Sequence, residues 1–198
     1  MTPLDPFKAI VFDLGGVLLR LRDPIENFGL SWTEAQFLEL WLKSRSVREF
    51  ERGAIDAETF AAMAVRELQL TMPPAEFLQR FDAWPEELFP DTLSLLDALP
   101  STTKLVLLSN TNAAHWGRSS ISGALAGRFD QQFLSFRTGL LKPDRAAFDQ
   151  VSDACRCLPA EILFFDDNPL NVSAAARLGM KSFLTKGPAD VRQALASL

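Results

Sequence analysis

Five short apolar runs punctuate the chain, at positions 8–13, 104–109, 132–136, 161–166 and 181–185. The first, Ala9-Ile10-Val11-Phe12, is apolar at every position, the pattern of a strand covered on both faces. Each of the last four follows a stretch with helical periodicity. Strands alternating with helices predict βαβ units and a parallel sheet, and right-handed crossovers place helices on both of its faces. The expected fold is therefore α/β, a Rossmann-like parallel sheet whose strand C-termini share one edge.

Positions 20–90 follow another rule. They are rich in Phe, Leu, Trp, Glu and Ala, and no strand is recognisable in them. Ser31-Trp32-Thr33-Glu34 predicts a capping box opening a helix, with Phe37, Leu38, Trp41 and Leu42 as its apolar positions. Asp56-Ala57-Glu58-Thr59-Phe60 opens a second helix, Pro73-Pro74 interrupts, and 75–84 reads as a third. About 70 residues between two strands exceeds any plain connection. The expectation is an inserted all-helical unit at 21–89, with 1–20 and 90–198 forming the α/β core.

Four polar segments stand at strand ends: Asp13 with Gly15 and Gly16; Ser109-Asn110-Thr111-Asn112; Lys142-Pro143; and Asp166-Asp167-Asn168 followed by Asn171. Each alone has a local reading, as a helix cap, a solvated turn or an acidic first turn. Four on one sheet edge point to chemistry. Carboxylates of Asp13 and Asp167 suit Mg²⁺, a hard ion that prefers oxygen. Ser109, the Asn110 amide and the Lys142 ammonium can surround a phosphoryl group. Asp13 would then be placed for in-line attack, an established use of a carboxylate nucleophile. The metal and the lysine would neutralise the transferring oxygens.

Phe12-Asp13-Leu14-Gly15-Gly16-Val17, Leu108-Ser109-Asn110, Lys142-Pro143 and Phe165-Asp166-Asp167-Asn168 with Asn171 resemble, in order and spacing, the four motifs of the haloacid dehalogenase superfamily. The resemblance covers the whole chain, and the insertion is similar to that family's helical cap. Phe50-Glu51-Arg52-Gly53-Ala54-Ile55, 108–112 and 164–168 most resemble a branch of bacterial α-D-glucose-1-phosphate phosphatases. The resemblance implies that Asp13 is the nucleophile and a Mg²⁺ ligand, and that residue 15 offers its carbonyl to the metal. It implies that Ser109 and Asn110 bind the phosphoryl group and that Lys142 balances its charge. Asp167 is the further metal ligand. Asp166 and Asn171 support, Asp166 by orienting Lys142 or a metal-bound water. The implied enzyme is a Mg²⁺-dependent phosphoric monoester hydrolase of a small metabolite, with a sugar phosphate, including a sugar 1-phosphate, as the favoured substrate.

Gly15 departs from that pattern. Most phosphatases of the family carry Asp there, as the acid that protonates the leaving oxygen. Such a group contributes about 10²–10⁴ in rate, or roughly 3–5 kcal/mol. Three functions fit its loss: a phosphatase of esters whose leaving group needs little help, such as anomeric or acyl phosphates; a binding or regulatory protein of low turnover; and a metal-independent haloacid dehalogenase. His115 could replace the proton donor or simply pack at a helix start. Arg22, Arg45, Arg48 and Arg52 are substrate contacts or a solvated helix face, and Trp32, Trp41 and Trp84 are core anchors or platforms.

Composition narrows the partners. The 198 residues are 47% hydrophobic, enough for one core and a smaller satellite. The net charge is −5 with no basic block, which gives nucleic acid no electrostatic footprint. No apolar run approaches the roughly 20 residues of a membrane span, and the first residues lack the features of a signal peptide. A cytoplasmic enzyme of small molecules, monomeric or weakly dimeric, is expected. Cys155 and Cys157 read as reduced thiols, since one C-x-C and a single histidine cannot complete a zinc site.

Overall fold

The computed structural model describes residues 6–198. Seven strands, β1 (Ala9–Phe12), β2 (Leu19–Leu21), β3 (Pro85–Leu88), β4 (Lys104–Ser109), β5 (Gln131–Leu134), β6 (Ile162–Asp166) and β7 (Lys181–Leu184), form two sheets. The larger is parallel, in the order β5-β4-β1-β6-β7. It is the α/β architecture that the apolar runs predict. The third run ends early, because Ser135–Thr138 winds into a helix instead of extending the strand.

The sheet is covered on both sides because its central strands are apolar on both sides. Alternation sends Ile10 and Phe12 to one face with Leu107 and Phe165, and Ala9 and Val11 to the other with Val106 and Phe164. The first face receives Leu95 and Leu96 of α6 (Thr92–Asp97), Trp116 of α7 (Ala113–Trp116) and Val191 of α11 (Gly187–Ala196). The second receives Phe148 and Val151 of α9 (Arg145–Cys155) and Ala174 and Ala175 of α10 (Pro169–Arg177). Helix α8 (Ser135–Thr138) follows β5 directly. Cys155 and Cys157 are free and buried on this second face.

Between β2 and β3 lie α1 (Pro24–Phe28), α2 (Glu34–Lys43), α3 (Arg45–Glu51), α4 (Ala57–Glu67) and α5 (Pro74–Ala83). They enclose an aromatic core of their own, in which Phe50 and Phe60 stack with centroids 4.3 Å apart. The capping box of α2 is formed by Thr33 and Gln36 rather than Ser31 and Glu34: the Thr33 N–H donates to Gln36 Oε1 at 2.9 Å. Asp56 caps α4, accepting from the Thr59 N–H at 2.7 Å as its sequence predicts.

One expectation is corrected. The segment read as free of strands contains β2 at its start and β3 near its end, paired antiparallel with Leu19 opposite Leu88 and Leu21 opposite Pro85. The boundaries expected at 20/21 and 89/90 fall inside β2 and just past β3. Three and four residues, with Arg20, Glu86 and Glu87 among them, carry too little apolar alternation to be read as strands.

Candidate active site

The ladder between β1 and β6 continues one residue past Phe12, where the Asp13 N–H donates to the Phe165 carbonyl at 2.9 Å. Asp13 therefore stands at the rim of the sheet, where open α/β sheets bind ligands. The chain then turns through Gly15 and Gly16. Gly16 has φ +73°, and a Cβ built on it would lie 2.1 Å from Asp167 Oδ2. Only glycine lets this backbone reach the Asp167 carboxylate. Beside Gly15 the space belongs to Leu21, whose Cδ1 would lie 3.2 Å from a Cβ at position 15.

Lys142 ties the strand ends together. Its ammonium donates to Asp13 Oδ1 at 2.7 Å and to Asp166 Oδ2 at 2.6 Å. Its backbone N–H donates to Asn110 Oδ1, and its carbonyl accepts from Asn110 Nδ2, both at 2.9 Å. Asn110 thus locks the segment that carries Lys142 to the end of β4. Asp166 is fully buried and is held by the Asn168 N–H at 2.8 Å and by Asn171 Nδ2 at 3.0 and 3.1 Å. Ser109 is buried at the end of β4 and lines the same cavity as Asp13, Lys142 and Asp167. The residues of the four strand-end segments therefore converge.

The electrostatics are those of crowded acids. Carboxylate oxygens of Asp13, Asp166 and Asp167 lie within 4.8 Å of one another. Burial pushes Asp13 up to about 7; Lys142 opposes this, while Asp166 and Asp167 add to it. Burial and then Asp166 push Asp167 up to about 6. For Lys142, burial lowers and the two carboxylates raise, and the carboxylates win, so it stays charged. One ammonium against three carboxylates leaves a deficit of positive charge. A hard divalent cation fits it, and Asp13 and Asp167 have the oxygens to spare, because those of Asp166 are already engaged. Asn171 Oδ1 is buried beside Asp166 without a partner among the described residues.

Above this floor lies a cavity of about 580 Å³. Its upper wall comes from Leu21 of β2 and from Trp41, Val47, Phe81 and Trp84 of the insertion. Trp41 and Trp84 also meet edge to face in the aromatic cluster, their centroids 5.1 Å apart, so they are core anchors that line the cavity as well. Trp32 packs against the cluster only. Of the four arginines, Arg22 reaches Glu86 and Arg45 pairs with Glu49 on the surface. Arg48 and Arg52 each donate to Asp144 Oδ2 at 2.9 Å, which ties α3 to the segment just after Lys142.

His115 is spoken for on both ring nitrogens. Its backbone N–H donates to Asn112 Oδ1 at 3.0 Å, which leaves the Asn112 amide NH₂ to donate to Nδ1, and Nε2–H donates to the Phe81 carbonyl at 2.9 Å. It packs near the start of α7, which Asn112 caps, the second of its two expected roles. Sequence reasoning assigned no role to Glu51 or Asp144, although Glu51 lies in a segment whose likeness was recognised. Both lining positions depend on how α3 docks.

The profile of the haloacid dehalogenase-like hydrolases matches residues 7–179. The chain belongs to this family. As a haloacid dehalogenase-like hydrolase it is similar to the sesquiterpene phosphatase astK of Aspergillus oryzae, 30% identical over 88% of this chain and 87% of that one. It is 29% identical to the drimenol cyclase drtB of Aspergillus calidoustus over 96% of its own length, but spans only 36% of that protein. Among solved structures of the family, the enzyme bt-2542 of Bacteroides thetaiotaomicron, in complex with magnesium and inorganic phosphate, superposes with a TM-score of 0.68. The two are 25% identical over 91% of this chain and 94% of that one. No helix among the described residues is long and apolar enough to cross a membrane.

Proposed function

We propose that this hydrolase is a Mg²⁺-dependent phosphatase of small phosphate monoesters, working through a phospho-aspartyl intermediate on Asp13. The observation that carries the reading is Lys142 bridging Asp13 and Asp166 on the floor of a cavity that also holds Asp167. Asp13 and Asp167, with the Gly15 carbonyl, would hold Mg²⁺, which when bound supplies Lewis-acid stabilisation to the phosphoryl oxygens. Asp13 attacks phosphorus as the ester oxygen departs. Lys142 steadies the charge on the nucleophile and on the transferring group, and Asp166, itself fixed by Asn171 and the Asn168 N–H, aims Lys142. Ser109 and Asn110 border the phosphoryl position. Water then attacks the phospho-aspartate and releases phosphate. The helical insertion serves as the cap that keeps bulk water away while this happens.

The upper wall speaks to the leaving group. Trp41, Phe81, Trp84, Leu21 and Val47 offer little hydrogen bonding to sugar hydroxyls and much contact to an apolar chain. This supports an apolar phosphate ester, in keeping with the terpenoid phosphatase among the relatives, over the sugar 1-phosphate that the glucose-1-phosphate phosphatase branch implies. The test is phosphate release from prenyl, sugar and acyl phosphates, with Mg²⁺ and with a chelator. Release that needs Mg²⁺ and is abolished in Asp13→Asn is expected. Halide release from 2-haloacids that ignores the chelator would select the dehalogenase reaction, and Mg²⁺ binding with no turnover of any ester a binding role.

A further inference from the structure

Gly15 leaves the first half-reaction without the side chain that usually protonates the departing oxygen, and Leu21 fills the space beside it. For an ester whose leaving oxygen needs a proton, the donor must come from elsewhere in the cavity wall. Outside the carboxylate cluster and Lys142, the titratable groups lining it are Lys43, Arg48, Glu51, Asp144 and His115. Lys43 is paired with Glu39 at 2.6 Å, and Arg48 with Asp144 at 2.9 Å, where Arg52 also binds. Both His115 nitrogens are occupied. Glu51 is left: among the described residues its carboxyl makes neither a hydrogen bond nor an ion pair.

We propose that Glu51, carried on α3 of the insertion, is the catalytic residue that protonates the leaving oxygen in place of the missing acid at position 15. The proposal rests on the phosphatase reading above. Its geometry is fixed from two sides. Arg48 and Arg52, which flank Glu51 in sequence, are clamped to Asp144, two residues beyond Lys142. Gly53, at φ +72°, seats the following turn against the backbone of α8: a Cβ there would lie 2.7 Å from the Phe136 carbonyl oxygen. Glu51 is thereby held in the wall of the cavity that Lys142 also lines.

The placement of Glu51 has no structural benefit to explain it. It is the last residue of α3, where the helix dipole disfavours a negative charge. The same dipole favours the protonated acid. Burial pushes the Glu51 carboxyl up to about 7, against the opposing influence of Lys142 and Arg48. A carboxyl poised there can give up a proton near neutral pH, as a general acid requires. The charges that act on it are Lys142 and Arg48; Arg52 follows it in the chain, and Asp144, Asp13 and Asp167 line the same cavity.

The step balances. The Asp13 Oδ–P bond forms, the ester P–O bond breaks, and the departing alkoxide takes the Glu51 proton and leaves as the alcohol. The Glu51 carboxylate then accepts a proton from the water that attacks phosphorus, which breaks the Asp13 Oδ–P bond, releases inorganic phosphate and restores the acid. Because Glu51 rides on the insertion, the acid is delivered only when α3 is seated on Asp144 and α8.

The test exploits leaving-group dependence. Glu51→Gln keeps size and hydrogen bonding but carries no acidic proton. On an alkyl phosphate the single-turnover rate of ester cleavage should fall about 10²–10⁴-fold. On p-nitrophenyl phosphate, whose phenolate leaves without a proton, the nitrophenol burst should lose under about tenfold, since that step bypasses general acid help. The alkaline limb of the wild-type alkyl-phosphate profile, falling above about pH 7, should vanish in the variant. Equal losses on both esters, or an unchanged alkyl rate, overturn the role of Glu51. If the wild type cleaves neither ester, the phosphatase reading itself falls, and the proposal with it.

Discussion

His115 joins the α/β layer to the insertion, and its protonation state should set part of the stability of that joint. It is the only histidine of the chain. The imidazole stacks on Phe81, centroids 4.4 Å apart, and donates Nε2–H to the Phe81 carbonyl while Nδ1 accepts from Asn112. Burial first, then Arg118, lower its pKa to about 4, outweighing the carbonyl that favours the charged form. A proton on Nδ1 would also face the Asn112 NH₂, donor against donor. In the unfolded chain the group titrates near 6.5. The folded state thus prefers the neutral ring, so its contribution is complete above pH 6.5, declines as pH falls, and is gone below about 4. At about 1.4 kcal/mol per pH unit, the interval amounts to about 3 kcal/mol. Because there is one histidine, its C2–H resonance can be followed without assignment through a pH titration. A midpoint at or below 5 is expected. Urea unfolding should show the wild type losing about 3 kcal/mol more than His115→Phe between pH 7 and 4. A midpoint near 6.5, or parallel losses in the two proteins, would refute the reasoning.

Three further outcomes test the site. Lys142→Ala strands Asp166, fully buried, with a charge that no cation meets, and should destabilise the fold by about 3–5 kcal/mol in chemical denaturation. Gly16→Ala puts a methyl where Asp167 Oδ2 sits, at a positive φ; calorimetric Mg²⁺ titration should show affinity reduced by at least about tenfold, with the near-ultraviolet circular dichroism retained. Asp144→Ala releases Arg48 and Arg52, all three partly exposed, so unfolding free energy should change by under about 1 kcal/mol while kcat on alkyl phosphates falls with the seating of α3.

The parallel sheet was legible because β1 and β6 are apolar at almost every position, which only a doubly covered strand tolerates. The floor of the site was legible for a related reason. Asp13, Ser109 and Asp166 to Asn171 stand at strand ends, so topology brings them to one edge, where Asn110 holds the Lys142 segment. The insertion was harder. Its helices announce themselves through Asp56 and the Pro73-Pro74 break, but β2 and β3 are too short and too charged to show a period. Glu51 was invisible as a candidate acid, because its direction is set by Gly53 on the Phe136 carbonyl and by two arginines on Asp144, contacts between residues about 80–100 positions apart. The two plausible fates of His115 could be separated only by seeing both of its nitrogens occupied.

The pairing of β2 with β3 has a consequence for how such a protein can change over generations. The chain leaves the sheet and comes back as two neighbouring strands, with Leu19 against Leu88. Along the chain, everything from α1 to α5 is joined to the sheet through this one narrow stalk, and through space it is seated by Phe81 on His115 and by Arg48 and Arg52 on Asp144. Change beyond that stalk that keeps Phe81 on His115 and the two arginines on Asp144 leaves the Asp13–Lys142–Asp166 lattice in place. Away from those seats and from Glu51 the roof can therefore drift faster than the floor, and a duplicated copy can take up a new ester by rewriting Trp41 or Val47 while inheriting its hydrolytic floor intact.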